Sequence, residues 1–238
     1  YAATEALRID SSGRVMIGTT TEGHNNAENL TVSASGAAGI TIRSTGNNCH
    51  LYFSDATSGA GEYVGQITYN HSSDYMNFII NGSERLRISS NGYVTKPNHP
   101  SFIAGRTGGN QTFTVGTFPL NVTRLNVGNH YNTSTYKFVA PVAGVYYFYG
   151  QVYYNNGTGT YRLGFRKTPN GGSAFMLNTA QLGVTGNDNQ QNISIIESLA
   201  VGDTVELYSD QNGSIQCYYN INDTTYGAHT YFMGYLIG

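Results

Sequence analysis

"YKFVAPVAGVYYFYGQVYY", residues Tyr136 to Tyr154, is the stretch on which the fold turns. From Gly144 onward it alternates at the period of a strand. Tyr146, Phe148, Gly150 and Val152 share one face, and Val145, Tyr147, Tyr149, Gln151 and Tyr153 share the other. Both faces are apolar or aromatic. A strand in a two-layer sandwich needs a greasy face only toward the second layer, so the opposite face asks for a cover of its own. The closing segment "TYFMGYLIG" repeats the demand, with Tyr231, Met233, Tyr235 and Ile237 opposing Phe232, Gly234 and Leu236. Tyrosine suits a buried interface because its ring is apolar while its hydroxyl finds a polar partner or a trapped water. The pattern predicts a β-sandwich that meets copies of itself through Tyr147, Tyr149, Gln151 and Tyr153. The alternative is that these side chains line one thick core.

Composition sets the bounds around this stretch. A chain of 238 residues can form one large all-β domain or two smaller ones, and two are expected here. Charged residues make up 11% of the chain, there are three lysines, and the net charge is -2; such a surface cannot neutralise phosphates, so no nucleic acid partner is expected. Neither a leader nor an apolar run of the roughly 18 residues a membrane span requires is visible, so no membrane insertion is expected either. Tyr1 as the first residue reads as the start of a fragment, from which a leader could have been lost.

Upstream, "LTVSAS", "GITIRS", "QITYN" and "MNFIING" alternate at period two between clusters of Asn, Gly, Ser and Asp, which reads as short strands and tight turns. The pattern breaks once, at "TKPNHPS" (Thr95 to Ser101), where two prolines make a stiff extended connector. The expected domains are residues 1–96 and 97–238. Cys49 and Cys217 fall in different domains and read as unpaired thiols. A phrase occurs twice in the first domain, as "EALRIDSSGRVMIG" (Glu5 to Gly18) and "ERLRISSNGYVT" (Glu84 to Thr95). Each copy reads as a hairpin with one apolar face and a glycine, Gly13 or Gly92, free to take positive φ at the turn. The domain holds too few large apolar side chains for a private core, so sister chains about a threefold axis are expected to supply the cover.

These residues carry two resemblances. Glu84, Arg85, Leu86, Arg87, Ile88, Ser90, Gly92 and Val94, echoed by Glu5, Leu7, Arg8, Ile9, Ser11, Gly13, Val15, Ile17, Gly18 and Thr19, match repeat segments of bacteriophage tail fibres, in which such phrases form trimeric β shafts. Ala6 stands where the pattern has Arg, and Tyr93 to Lys96 lacks its closing Ile-Gly-Thr, which reads as the end of the shaft. The second half resembles the globular head of complement component one q, within the tumour-necrosis-factor-like superfamily. The pattern F-x-A-P-x-x-G-x-Y-x-F falls on Phe138, Ala140, Pro141, Gly144, Tyr146 and Phe148, a later Gly-Asp on Gly202 and Asp203, and the closing F-x-G-x-L on Phe232, Gly234 and Leu236. Together they imply an all-β chain, a trimeric shaft followed by a ten-stranded jelly roll. They also imply a virion tail fibre that works outside the cell, as a homotrimer binding a glycan or protein of the host surface and joined to other tail proteins through its N-terminal side. The alternatives are an extracellular complement-head-like adhesive or signalling protein, and a virion decoration protein without a receptor.

Reactive chemistry is sparse. The six histidines (His24, His50, His71, His99, His130, His229) are scattered without metal-ligand spacing, and His99 reads as loop punctuation. Asp188, Asp203, Asp210 and Asp223 are the carboxylates available to a calcium ion, but none sits in a calcium-loop pattern, and Gly202 with Asp203 reads as a turn. No metal, no cofactor and no enzymatic activity are expected. Reversing strand direction back from the last strand sets Ile221–Ala228, Ser198–Asp203 and Tyr154–Tyr161 at the end of the head remote from the shaft. Tyr154, Asn155, Asn156, Thr158, Tyr161, Asn222, Asp223, Thr224 and Tyr226 are therefore the candidate ligand-binding residues, their rings, amides and hydroxyls suiting sugars or peptide edges.

Overall fold

The computed structural model describes residues 5–186, 189–210, 215–225 and 227–238. The chain divides into two units, Tyr1–Thr95 and Lys96–Gly238.

In the first unit, β1 (Leu7–Ile9) and β2 (Val15–Ile17) form an antiparallel hairpin, and β3 (Leu30–Val32) lies parallel to β2. After β4 (Asn48–Phe53) and a short 3-10 turn (Gly59–Tyr63), β5 (Gly65–Asn70), β6 (Tyr75–Ile80), β7 (Ser83–Ile88) and β8 (Val94–Thr95) continue an antiparallel meander. The repeated phrase is a hairpin in both copies, with Gly13 at φ 78° and Gly92 at φ 80°. The repetition also has an electrostatic part. Glu5 pairs with Arg8 at 2.5 Å and Glu84 with Arg87 at 2.6 Å, and Arg87 covers the Tyr75 ring at 4.0 Å. "GITIRS" forms no strand: Ile40 and Ile42 are exposed, because an alternating segment becomes a strand only when a neighbouring edge accepts its backbone hydrogen bonds. Among the described residues of this unit, Met16 is the single apolar side chain fully buried within one chain, while Leu7, Ile9, Phe53 and Ile80 stand exposed.

The second unit is built differently. Its strands are β9 (Ser101–Gly105), β10 (Asn110–Phe113), β11 (Gly116–Thr117), β12 (Val122–Val127), β13 (Tyr131–Asn132), β14 (Lys137–Val139), β15 (Gly144–Thr168), β16 (Phe175–Gly186), β17 (Asn189–Leu199), β18 (Thr204–Ser209), β19 (Ile215–Tyr218) and β20 (Tyr231–Leu236). One layer runs β12-β9-β20-β15-β17 and the other β13-β14-β18-β15-β16. β15 belongs to both: Gly144–Tyr154 pairs with β17, and Gly157–Lys167 pairs with β16. With its halves counted separately, each layer has five strands on its main path, and the sandwich is the jelly roll expected. β10 and β19 extend the first layer, and β11 borders β18. "YNNGTGTY", read as a loop, is part of β15. The chain crosses between layers there and doubles back, since Gly144 pairs with Leu199 and Thr168 with Thr204 at the same end of the unit; Gly159 at φ 140° and a register shift between Tyr154 and Asn156 opposite β19 help it bend.

Between the layers lies an aromatic core. Phe102, Phe138, Phe148, Phe165 and Phe232 are fully buried; Phe102 stacks on Phe138 at 5.0 Å and meets Phe232 edge-on at 4.8 Å. Gly234 shows why the closing motif needs glycine: a Cβ there would strike the Phe148 ring and stand 2.9 Å from the Tyr147 carbonyl oxygen. The expected turn at Gly202 and Asp203 is present, with Gly202 at φ 83°. Asp203 accepts the N–H groups of Asn170 and Ala200 at 2.9 and 3.0 Å and pairs with Lys167 at 3.2 Å. Ser198–Asp203 lies at the entry end of this unit, not at the far end. Leu199 pairs with Gly144, Tyr146 with Leu236, and Tyr235 with Ser101, so these termini share one edge. That loop stands one reversal, not two, from Ile221–Ala228. His99 is more than punctuation, since its Nε2–H donates to the Leu236 carbonyl at 2.5 Å.

Because the aromatic core lies wholly within residues 96–238, a fragment beginning at Lys96 is expected to fold alone; an unfolded circular dichroism spectrum would refute it. Burial pushes the Asp203 carboxyl up, but the two backbone donors and Lys167 outweigh it and hold the carboxyl below its ordinary value. A depressed folded pKa stabilises above the unfolded pKa, and that contribution fades as pH falls through the folded value. Asp203→Ala should thus cost about 1–3 kcal/mol at pH 7, with a smaller gap from the parent in urea melts near pH 3.

Candidate functional site

At the far end of the second unit, away from Ser101, the first half of β15, strand β19 and the segment leading into β20 converge. Thr230, fully buried, holds them together: its hydroxyl accepts the Tyr153 N–H at 3.1 Å and donates to the Tyr218 carbonyl at 2.8 Å. Gln151 Nε2 donates to the His229 carbonyl at 3.0 Å. Asp223 closes a local turn, its Oδ1 accepting the Thr225 N–H at 2.8 Å and its Oδ2 standing 3.4 Å from Asn220 Nδ2. These contacts border a cleft of about 220 Å³ lined by Tyr153, Asn155, Tyr218, Asp223, Thr225 and His229.

Three rings form its aromatic wall. Tyr218 and His229 meet at 4.5 Å and 76°, Tyr153 and His229 at 5.1 Å and 83°, and Tyr153 and Tyr218 at 6.2 Å and 71°. Each ring turns an edge toward a neighbour's face, the arrangement that aromatic quadrupoles favour. Asp223 Oδ2 is 3.9 Å from His229 Nδ1, beyond hydrogen-bonding distance. Among the lining residues Asp223 supplies the negative charge, and none is Lys or Arg.

The expected site residues divide. Asn155 and Asp223 line the cleft, and Asn222 and Thr224 are exposed beside it. Tyr154 and Tyr161 are not surface residues: they point into the core, stacked at 5.5 Å, with the Tyr154 hydroxyl donating to Gln191 at 2.8 Å and its phenol pushed far above the ordinary range by burial. As strand residues their direction follows the two-residue period, which turns Tyr154 inward and Tyr153 outward. Tyr226 and the side chains of Asn156 and Thr158 lie outside the described residues. Tyr218, Thr225 and His229 escaped the sequence reading. His229 stood among scattered histidines, although its place just before the last strand was a usable signal.

The residues expected at the interface face outward on the first layer. Tyr147, Tyr149, Gln151 and Tyr153 are half-buried, and the neighbouring strands add Ile196, Tyr231, Met233 and Tyr235. Tyr147 packs on Tyr235 at 5.5 Å and Tyr149 on Tyr231 at 5.7 Å, while Tyr149 donates to Gln151 at 3.1 Å. Burial, with Tyr149 and Tyr147 nearby, pushes the Tyr231 phenol up to about 12. Tyr153 sits at the far end of this stripe and doubles as a wall of the cleft.

No group of three metal-binding side chains occurs among the described residues. Asp203 is held in its turn, Asp210 pairs with Arg162 at 3.2 Å, Asp223 lines the cleft, and Asp188 lies outside the described residues. Cys49 and Cys217 are free, and burial pushes the Cys217 thiol up to about 12. In the first unit, two shallow hollows of about 340 and 240 Å³ lie beside apolar residues such as Phe53 and Ile80, or Leu51 and Met76.

Comparison with known proteins places the second unit. A family profile described as the C1q domain matches residues 101–237. Among solved structures, the globular domain of zebrafish complement 1qA is similar at 18% identity, covering 58% of this chain and 98% of that one, with a TM-score of 0.45. The Eiger tumour necrosis factor of S. frugiperda is similar at 12% identity over 59% of this chain and 94% of that one, with a TM-score of 0.48. Murine APRIL is similar at 13% identity over 58% and 99%, with a TM-score of 0.44. No curated protein sequence matches the chain.

The inward direction of Tyr154 has a direct consequence. Tyr154→Ala should cost about 3–5 kcal/mol of stability, as for a large core aromatic, whereas Asn155→Ala should change stability by less than about 1 kcal/mol. Thermal melts of the two variants read the difference, and equal melting temperatures would contradict this placement.

Proposed function

The chain belongs to the C1q-domain family, and on that footing we propose that it is an adhesive trimer whose head binds a surface ligand at its far end. The observation that carries the reading is the outer face of the first layer. There Tyr147, Tyr149, Ile196, Met233 and Tyr235 form an apolar stripe on the side of the sheet away from the core. A stripe of this kind marks an interaction surface, and a second and third copy of the same face are the partners it fits. The exposed Leu7, Ile9, Phe53 and Ile80 of the first unit support the same assembly along the whole length.

The finer reading is a phage tail fibre: the twice-written phrase builds a shaft, the C1q-type head grips the host, and the N-terminal side joins other tail proteins of the virion. The repeated hairpins and their Glu–Arg pairs support it. An extracellular adhesive or signalling protein of the complement-head type is the second reading, and the family match supports it equally. Binding, not catalysis, is the proposed activity in both, exercised outside the cell, without cofactor or metal.

Light scattering on the full chain should give a trimer mass. Met233→Glu would bury three charges at the interface, at a cost of several kcal/mol each, and should yield folded monomers. Because three linked sites gain avidity over one, by roughly 10²–10⁴, the monomeric variant should also lose most binding to intact cells. A parent chain that is monomeric at micromolar concentration would overturn the assembly, and a trimer that ignores every cell surface tried would overturn the adhesive role.

A further inference from the structure

We infer that the far-end cleft is a subsite for one uncharged pyranose ring, the terminal sugar of a surface glycan. The inference rests on the adhesive reading above and assigns the chemistry of its ligand.

The volume, about 220 Å³, admits a single sugar ring and falls short of the roughly 300–1,000 Å³ common for drug-sized ligands. The lining decides the class. Tyr153, Asn155, Tyr218, Asp223, Thr225 and His229 each end in a hydrogen-bonding group, and none is aliphatic. A protein hot spot would offer a dry apolar pocket for an anchoring side chain, which this lining does not. A pyranose carries an apolar C–H face and a rim of hydroxyls. The aromatic rings of Tyr153 and Tyr218 suit the former, and the amide of Asn155, the hydroxyl of Thr225 and the carboxylate of Asp223 suit the latter.

Charge narrows the class further. The Asp223 side chain is 11% exposed, so its carboxylate acts through a medium less screening than water, and the lining includes no Lys or Arg. Uronic acids, sialic acids and phosphorylated sugars are repelled. A hydroxyl donates to a carboxylate and accepts from an amide, so neutral sugars satisfy both kinds of partner. A bare cation could satisfy the carboxylate and the rings, but it would leave Asn155 and Thr225 unmatched.

Saturation-transfer NMR on the full chain tests this without any cell. The probes are the methyl glycosides of glucose, galactose and mannose, N-acetylglucosamine, glucuronate, galacturonate and choline. At least one neutral sugar should bind, with Kd about millimolar as expected for a single small subsite, and the uronates should not. Asn155→Ala should weaken the neutral sugar at least fivefold. Asp223→Asn should weaken it and bring uronate affinity to within threefold of the neutral sugar. If no neutral sugar binds, if uronates bind the parent equally well, if choline alone binds, or if both variants leave neutral-sugar binding unchanged, the inference is wrong. Loss of this inference with cell binding intact would move the adhesive surface elsewhere on the head. Sugar binding by a chain that attaches to no cell would sink the adhesive reading and leave the subsite standing.

Discussion

The close approach of β15 to β20 is the contact on which the second unit depends. Gly234 gives up its side chain so that the Phe148 ring can lie against the β20 backbone, and from there Phe148 reaches Phe232 at 5.8 Å and Phe165 at 6.1 Å. Phe148 and Phe165 belong to the two halves of one strand, in different layers. The packing of these rings therefore holds together both the sandwich and the bend of the strand that crosses it. Any residue larger than glycine at 234 would force Phe148 out, and the layers would lose their central contact.

The same strand explains why head surface and head core are inseparable. Along Gly144–Tyr154 every second side chain goes to the aromatic core and every other one to the outer stripe. Stability and self-association are thus written on alternate residues of one segment, and a one-residue slip would exchange them. The first unit lacks this economy. Its strands are short, Gly13 and Gly92 serve hairpin turns, and apart from Met16 its described apolar side chains stay exposed or half-buried within a single chain. Its Glu–Arg pairs are exposed or only partly buried and contribute little stability alone, so burial against further surface must supply the rest.

The far-end cleft shows how a site arises from a seam. Its wall comes from β15, β19 and the lead into β20, joined by the buried Thr230 hydroxyl. The turn around Asp223 is stabilised by that residue's own carboxylate, so the group that sets the charge of the cleft also shapes it. Lys137 and Arg166, by contrast, are taken up by the fully buried Glu206 at 3.3 and 2.7 Å, which leaves these two cations of the head committed to structure.

The sequence by itself determined the fold class, both hairpins of the repeated phrase, the break near Pro97, the two-sided character of the strand that starts at Gly144, as seen in Tyr146 against Tyr147, and the turn at Gly202 and Asp203. All of these are local: they follow from side-chain period, from glycine's access to positive φ, or from proline's missing donor. Only the tertiary structure decided that Tyr154–Tyr161 continues a strand, that Ile40 and Ile42 find no partner edge, that Ser198–Asp203 lies at the entry end, and that Tyr218, Thr225 and His229 meet Tyr153. Those facts depend on which distant strand accepts a given backbone hydrogen bond. That choice is made by non-local packing, and no stretch of sequence carries it alone.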